Sequence, residues 1–191
     1  MADADWFEVC SGPQLMQGDV LFGCSVVKPH GASTSDQADE IDVSIDIVDV
    51  VVVTQSCDLE HSGKIENILL AKLDSYDDIV SESLRQRRAD HIGKAGVKFR
   101  EKCVRNQFPN FMLLRHFTGP PSLAWSLVDF RSLYILPKSV VEAHASNAGD
   151  RLRLLSPYRE HLSQSFARYF MRVGLPSGAS EFENYKSPAV A

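Results

Sequence analysis

The side chains best suited to chemistry lie in one short run. Thr54-Gln55-Ser56-Cys57-Asp58-Leu59-Glu60-His61 sets an amide, a thiol, carboxylates and an imidazole directly after the apolar stretch Val50-Val51-Val52-Val53. A buried strand that ends in such a run holds its backbone rigid while exposing the side chains, as a site requires. Gln55, Cys57, Asp58 and His61 are therefore the candidate ligand or partner site. A thiol with a nearby imidazole can become a thiolate nucleophile. Cys57 and His61 are only four residues apart, closer than the papain-like arrangement, which draws its partners from distant segments. His91 or His116 would have to supply a distant base. Asp58 and Glu60 disfavour a thiolate and only His61 favours one, so the expectation is a structural or ligand-contacting cysteine, with no catalytic residue identified. Strand alternation puts Gln55 and Cys57 on one face and Thr54, Ser56 and Asp58 on the other. Both sets serve one pocket only if the chain bends between Ser56 and Asp58.

A zinc site needs about four ligands. Cys57, His61, Cys103 and His116 make such a set on paper, but no CxxC or HxxxH pair supports it. No metal and no cofactor is expected. His30, His144 and His161 read as surface residues. No GxGxxG, GxxxxGK[ST], GxSxG or HExxH motif occurs.

The second candidate is electrostatic. Arg85, Arg87, Arg88, Lys94, Lys98, Arg100, Lys102 and Arg105 form a basic surface interleaved with Phe99 and Phe108, a pattern that serves nucleic acid through phosphate contacts and base stacking. The bland alternative is a solvated helix face packed against acidic residues. Residues 1–80 hold 16 Asp and Glu against 3 Lys, a net −13, and residues 81–191 hold 9 acids against 17 bases, a net +8. The overall charge of −5 and a pI near 5.7 do not favour non-specific phosphate binding. Internal neutralisation is the leading expectation, a protein partner the second and nucleic acid the third.

The elements that must position these groups follow from periodicity. A strand is expected at about 19–27, after the Gly18-Asp19 turn signal, and the run 28–40 is a polar loop. Ile41, Val43, Ile45 and Ile47 alternate with Asp42, Ser44 and Asp46, which predicts a half-buried strand with an acidic outer face. Its continuation to Thr54 and the run Asn67–Leu73 bracket an antiparallel hairpin. Helical period appears over 75–105, broken at Gly93 and Gly96. Phe111–Phe117 reads as a strand, then Leu123 to Asp129 and Ser132 to Leu136, and Leu152 and Leu154 as a short edge strand. The last helix is capped by Ser156 with Pro157 at its first position and ends at Gly174. Its stripe Tyr158, Leu162, Phe166, Tyr169, Phe170 and Val173 faces the core, and His161, Ser165, Arg168 and Arg172 face solvent. The class is α+β: a small antiparallel SH3-like β-barrel with inserted helices near 75–105 and a C-terminal helix. One domain covers 1–176 and a flexible tail covers 177–191.

No apolar run approaches the roughly 18 residues of a membrane span, the acidic start MADADWFEVC lacks a basic leader region, and the four cysteines form no close pair, so the expected setting is the cytoplasm with reduced thiols.

LMQGDVLFGCSVV, VDVVVVTQSCDLE, NILLAKL and SPYREHLSQSFARYFMRVGLP resemble an uncharacterised bacterial family that carries a strand followed by [ST]-Q-x-C-D. The resemblance runs from about Gln17 to Pro176, brings no established activity and implies a setting in a phage-defence or mobile-element system; the expected function is that of a bacterial accessory protein acting by protein–protein binding. Gly18-Asp19-Val20 also resembles the opening of the MazF/PemK toxins, which form SH3-like barrels. Those ribonucleases enter their next long strand through an Arg-Pro pair, where this chain has Asp49-Val50, so their catalytic arginine has no counterpart. The alternatives are a MazF-like nucleic-acid binder or ribonuclease, and a small cysteine-dependent enzyme using Cys57.

Overall fold

The computed structural model describes residues 5–29, 43–61, 65–86 and 93–171. The expected tail 177–191, and Ile41, Asp42, Arg87, Arg88, His91, Arg172 and Val173, lie outside them. The order is β1 (Phe7–Cys10), β2 (Asp19–Pro29), β3 (Val43–Val52), α1 (Ser56–Glu60), β4 (Asn67–Ser75), α2 (Tyr76–Gln86), α3 (Lys94–Val104), β5 (Phe111–Leu114), β6 (Ser126–Pro137), α4 (Lys138–Ala148), β7 (Arg151–Leu154) and α5 (Tyr158–Phe170). The seven strands form one antiparallel sheet in the order β1-β7-β2-β3-β4-β6-β5. The protein is therefore α+β with an antiparallel sheet, and that sheet is open, ending on β1 and β5. No helix among the described residues is long and apolar enough to cross a membrane.

Alternation along the strands sends side chains to two apolar layers. Val51, Leu73, Met112, Val128, Phe130, Leu152 and Leu154 pack beneath α5, whose Leu162 is fully enclosed. Val50, Val52, Ile68 and Leu70 point the other way, against Val141 and Ala145 of α4. On that same side α2 and α3 cover Phe111 and Leu127 through Tyr76, Phe99, Cys103 and Phe108. The sheet is thus covered on both faces, which is why the run Val50–Val53 is continuously apolar.

The hairpin partners β3 and β4 pair from Asp49↔Leu73 to Val52↔Leu70. Other expectations are corrected. β7 is not an edge strand: it lies between β1 and β2, because Arg151 and Arg153 are drawn to Asp19 of β2. Leu123 stands in a small bridge with Phe117, and β6 is one strand from Ser126 to Pro137. β6 ends at Pro137, as the sequence suggests, and the same residue is the N-cap of α4. α5 begins at Tyr158 with Pro157 as its N-cap residue, so the cap lies one residue later than Ser156.

The strand over Val43–Ile47 is present with the opposite orientation. Val43, Ile45 and Ile47 are 57%, 67% and 67% exposed, whereas Val26 on the paired strand is fully buried. A bulge between Leu21 and Cys24 gives β2 its local kink, and Gly23 there, at φ +64°, donates its N–H to Asp49 Oδ1 at 2.8 Å. Beyond this point the aliphatic row of β3 faces outward. Asp46 pairs with Lys28 of β2.

Asp19 and Arg151 are 0% and 2% exposed. Arg151 Nε donates to Asp19 Oδ2 at 2.8 Å and Arg153 Nε to Oδ1 at 2.5 Å. The Met16 N–H reaches the same carboxylate, and the two guanidinium groups also hold the carbonyls of Gly12 and Gln14. A buried charge is tolerated when its lone pairs and protons are this fully matched. Gly18 completes the joint: at φ +87°, a Cβ there would sit 2.8 Å from Leu154 Cβ.

Candidate functional site

The Thr54–His61 run divides into residues that build and residues that are displayed. Thr54 Oγ1 accepts the Leu69 N–H at 2.7 Å, and Ser56 Oγ accepts the Gln17 N–H at 3.2 Å. Gln17 is buried, donates to the Val53 carbonyl at 2.7 Å and accepts from Ser163 of α5 at 2.9 Å. Lys138 Nζ holds the Leu59 carbonyl at 2.8 Å. These ties turn the chain after Val53 into α1 rather than a loop. That turn supplies the bend the alternation argument required. Gln55, Cys57 and His61 are exposed and Asp58 half-buried, with Cys57 Sγ 3.7 Å from Gln55 Oε1 and 3.8 Å from Asp58 Oδ1. His61 joins them only in sequence: its Nδ1–H donates to the Cys57 carbonyl at 2.7 Å, not to the sulfur. The thiol–imidazole contact of a cysteine nucleophile is not made.

The paper zinc set is dispersed. Cys57 and His61 lie at α1, Cys103 is buried on α3 and His116 follows β5, and no group of three or more metal-ligating residues gathers among the described residues. Burial pushes the Cys103 thiol up to about 11 and, with Asp49 adding to it, the Cys24 thiol up to about 12. Two of the histidines read as surface residues have partners. His144 Nε2–H donates to the Phe22 carbonyl at 2.9 Å. His161 Nε2 accepts from Asn106 Nδ2 at 2.8 Å. Ser165, expected in solvent, is buried beside the same Asn106, because the turn after α3 covers that side of α5.

Of the basic surface, Arg85, Lys94, Lys98, Arg100, Lys102 and Arg105 are among the described residues, and only Arg85 makes an ion pair there. Arg85 is tied to Glu82 of its own helix at 2.8 Å. Arg100 bonds the Tyr76 hydroxyl, and Lys102 Nζ stands 5.7 Å over the Phe108 ring. Lys94, Lys98 and Arg105 make no ion pair among the described residues. Among the described residues, the ion pairs that join the acidic half to the basic half lie at Asp19, far along the chain from α3.

Beside α3 runs a groove of about 910 Å³. Val97, Arg100 and Val104 form one wall at i, i+3 and i+7. Trp125 and His116 form the other, their rings 5.2 Å apart, and Leu113 of the edge strand β5 lies between. Val104 is 70% exposed and Trp125 44%. The helix buries a different stripe, Gly96, Phe99 and Cys103. Sequence reasoning missed this groove. Its signal was the second apolar stripe, Val97 and Val104, on a helix whose core stripe was already supplied.

No protein-family model matches the chain, and no characterised protein matches it in sequence.

Proposed function

We propose that the protein is a binding module that docks a partner protein in the α3–β5 groove, and that the docked segment is acidic with apolar anchors. The observation that carries this is the exposed apolar lining of Val97, Val104 and Trp125 beside an α3 whose bases make no ion pair among the described residues. An exposed aromatic next to a concave apolar surface is the usual anchor point of an interface. Arg100 and Asp77 both line the groove, and Lys94, Lys98 and Arg105 elsewhere on α3, which make no ion pair among the described residues, speed and orient the approach of an acidic partner. The resemblance of the Gln55–Asp58 motif to a bacterial family adds a setting to the reading: an accessory role in a phage-defence or mobile-element system. The motif itself stands apart from the groove, with its thiol and its imidazole separately engaged.

The test is a fluorescence titration at about 0.15 M salt, where exposed charges are screened beyond roughly 8 Å. The probes are an acidic amphipathic peptide with Leu and Phe anchors, a peptide of the same charge without anchors, and a single-stranded oligonucleotide. The anchored peptide is expected to bind and to lose at least tenfold in Trp125→Ala. Oligonucleotide binding with a steep salt slope, and none by the peptide, would replace this reading with the nucleic-acid one.

A further inference from the structure

Tyr76, the first residue of α2, is tied to both sides of the α3–β5 groove. Its N–H donates to the Trp125 carbonyl at 2.8 Å. Its hydroxyl accepts from the Arg100 guanidinium. Its ring packs edge-on against Phe99, the centroids 6.2 Å apart, in the apolar layer beneath α3. One anchored residue therefore links the backbone that carries the exposed indole to the guanidinium that lines the opposite wall.

Arg100 is exposed and stands between Val97 and Val104 on that wall. A guanidinium carries five N–H donors in a planar fork that matches a carboxylate. The Tyr76 hydroxyl engages part of the fork, and Arg100 makes no ion pair among the described residues. Asp77, next in sequence to Tyr76, lines the same groove with the opposite charge. The formal charges of Arg100 and Asp77 cancel, so the groove lining offers no general attraction for acid. A carboxylate seated there is favoured where it meets Arg100 and disfavoured where it meets Asp77.

We propose that the groove recognises one carboxylate of the docked protein segment, set beside an apolar side chain that packs on Trp125, with Arg100 as the receptor and Tyr76 as the positioning residue. This specificity presupposes the docking site proposed above and adds the chemistry read within it. The net charge of the partner then governs how fast it arrives, through Lys94, Lys98 and Arg105. The spacing of a single acid from its apolar neighbour governs how long it stays, because a charge-assisted hydrogen bond to a guanidinium demands a defined geometry. Holding Arg100 in advance of binding reduces the ordering cost of a long, flexible side chain.

The probes are the acidic peptide with Leu and Phe anchors and its versions with a single Glu replaced by Gln, titrated at about 0.15 M salt. With the parent chain, one of these replacements should weaken Kd about tenfold, the loss of a hydrogen bond to a charged group, and the others much less. Tyr76→Phe keeps the ring on Phe99 and the N–H to the Trp125 carbonyl and removes only the hydroxyl. In that variant the selective replacement should cost no more than the others. Arg100→Gln should do the same and, at an exposed residue, serves if Tyr76→Phe lowers the thermal midpoint. Lys98→Gln should weaken the acidic peptides alike and leave the selective position selective. Equal losses for every Glu with the parent chain, or a selective position that survives either Tyr76→Phe or Arg100→Gln, overturns the proposal, while Trp125→Ala still reports on the groove. An anchored peptide that does not bind the parent chain at all removes the docking reading itself, and this specificity with it.

Discussion

Arg151 and Arg105 both belong to the basic half of the chain. Arg151 is enclosed by Asp19 and the carbonyls of Gly12 and Gln14. Arg105 ends α3 in solvent with no ion pair among the described residues. Among the described residues, the charge asymmetry of the sequence is therefore resolved at Asp19 and left standing on α3. Where it is resolved, it fixes which strands are neighbours. Where it stands, it lies on a helix that borders a groove with an exposed indole. A split charge pattern is thus two signals, and only burial separates the structural one from the one available to a partner.

Asp19→Ala should break this contrast most severely. It leaves Arg151 buried without its counter-ion, which costs about 3–5 kcal/mol and should appear as a large drop in the urea midpoint. Trp125→Ala should move the other side of the contrast, reducing acidic-peptide binding at least tenfold, about 1.4 kcal/mol, while the urea midpoint hardly changes. Arg105→Ala should change stability by no more than about 0.5 kcal/mol, the range of a plain surface residue. A large loss there would mean that α3 is neutralised after all.

Two smaller effects sharpen the picture. Burial, and then Arg168, push the His161 imidazole below its ordinary value. As pH falls, the unfolded chain takes up this proton near about 6.5, while the folded chain resists it. Stability from this source is full above that value and is lost as pH falls toward the folded value. The thermal midpoint should fall between pH 8 and pH 5, and His161→Gln should flatten the slope. Among the thiols, iodoacetamide at pH 7 should reach Cys57 first, no faster than a free model thiol, while Cys24 and Cys103 react only on unfolding. Rapid labelling of Cys57 together with loss of binding in Cys57→Ser would revive the cysteine-enzyme reading.

How far the sequence was legible depended on whether local pattern and tertiary burial agreed. They agreed at the β3–β4 hairpin, where Val50–Val53 and Asn67–Leu73 are apolar because both faces are covered, and for the buried Leu162 of α5. They disagreed at Val43–Ile47: alternation identifies a strand but not which face turns inward, and the Gly23 bulge with its Asp49 contact lies on another strand. α4 buries only Val141 and Ala145, too few apolar positions to show a period. α1 is held by Gln17 and Lys138, both distant in sequence. Ser165 misled because a serine can be enclosed when a turn such as Asn106 lies across it. In the candidate site, the clustering of Gln55, Cys57 and Asp58 followed from their adjacency, while the groove needed β5, β6 and α3 brought together from separate segments.

The position of β7 between β1 and β2 bears on how the chain acquires its structure. Among the described residues, β1 finds its sheet neighbour only in residues 151–154, so this part of the sheet cannot assemble until those residues have left the ribosome. Closing so long a loop is slow compared with local helix or hairpin formation. Until then β1 and β2 offer unpaired edges and Asp19 has no counter-charge. The β3–β4–β6 region, whose contacts are nearer in sequence, is expected to form first. Release of residues 151–154 then lets the two arginines insert late in assembly.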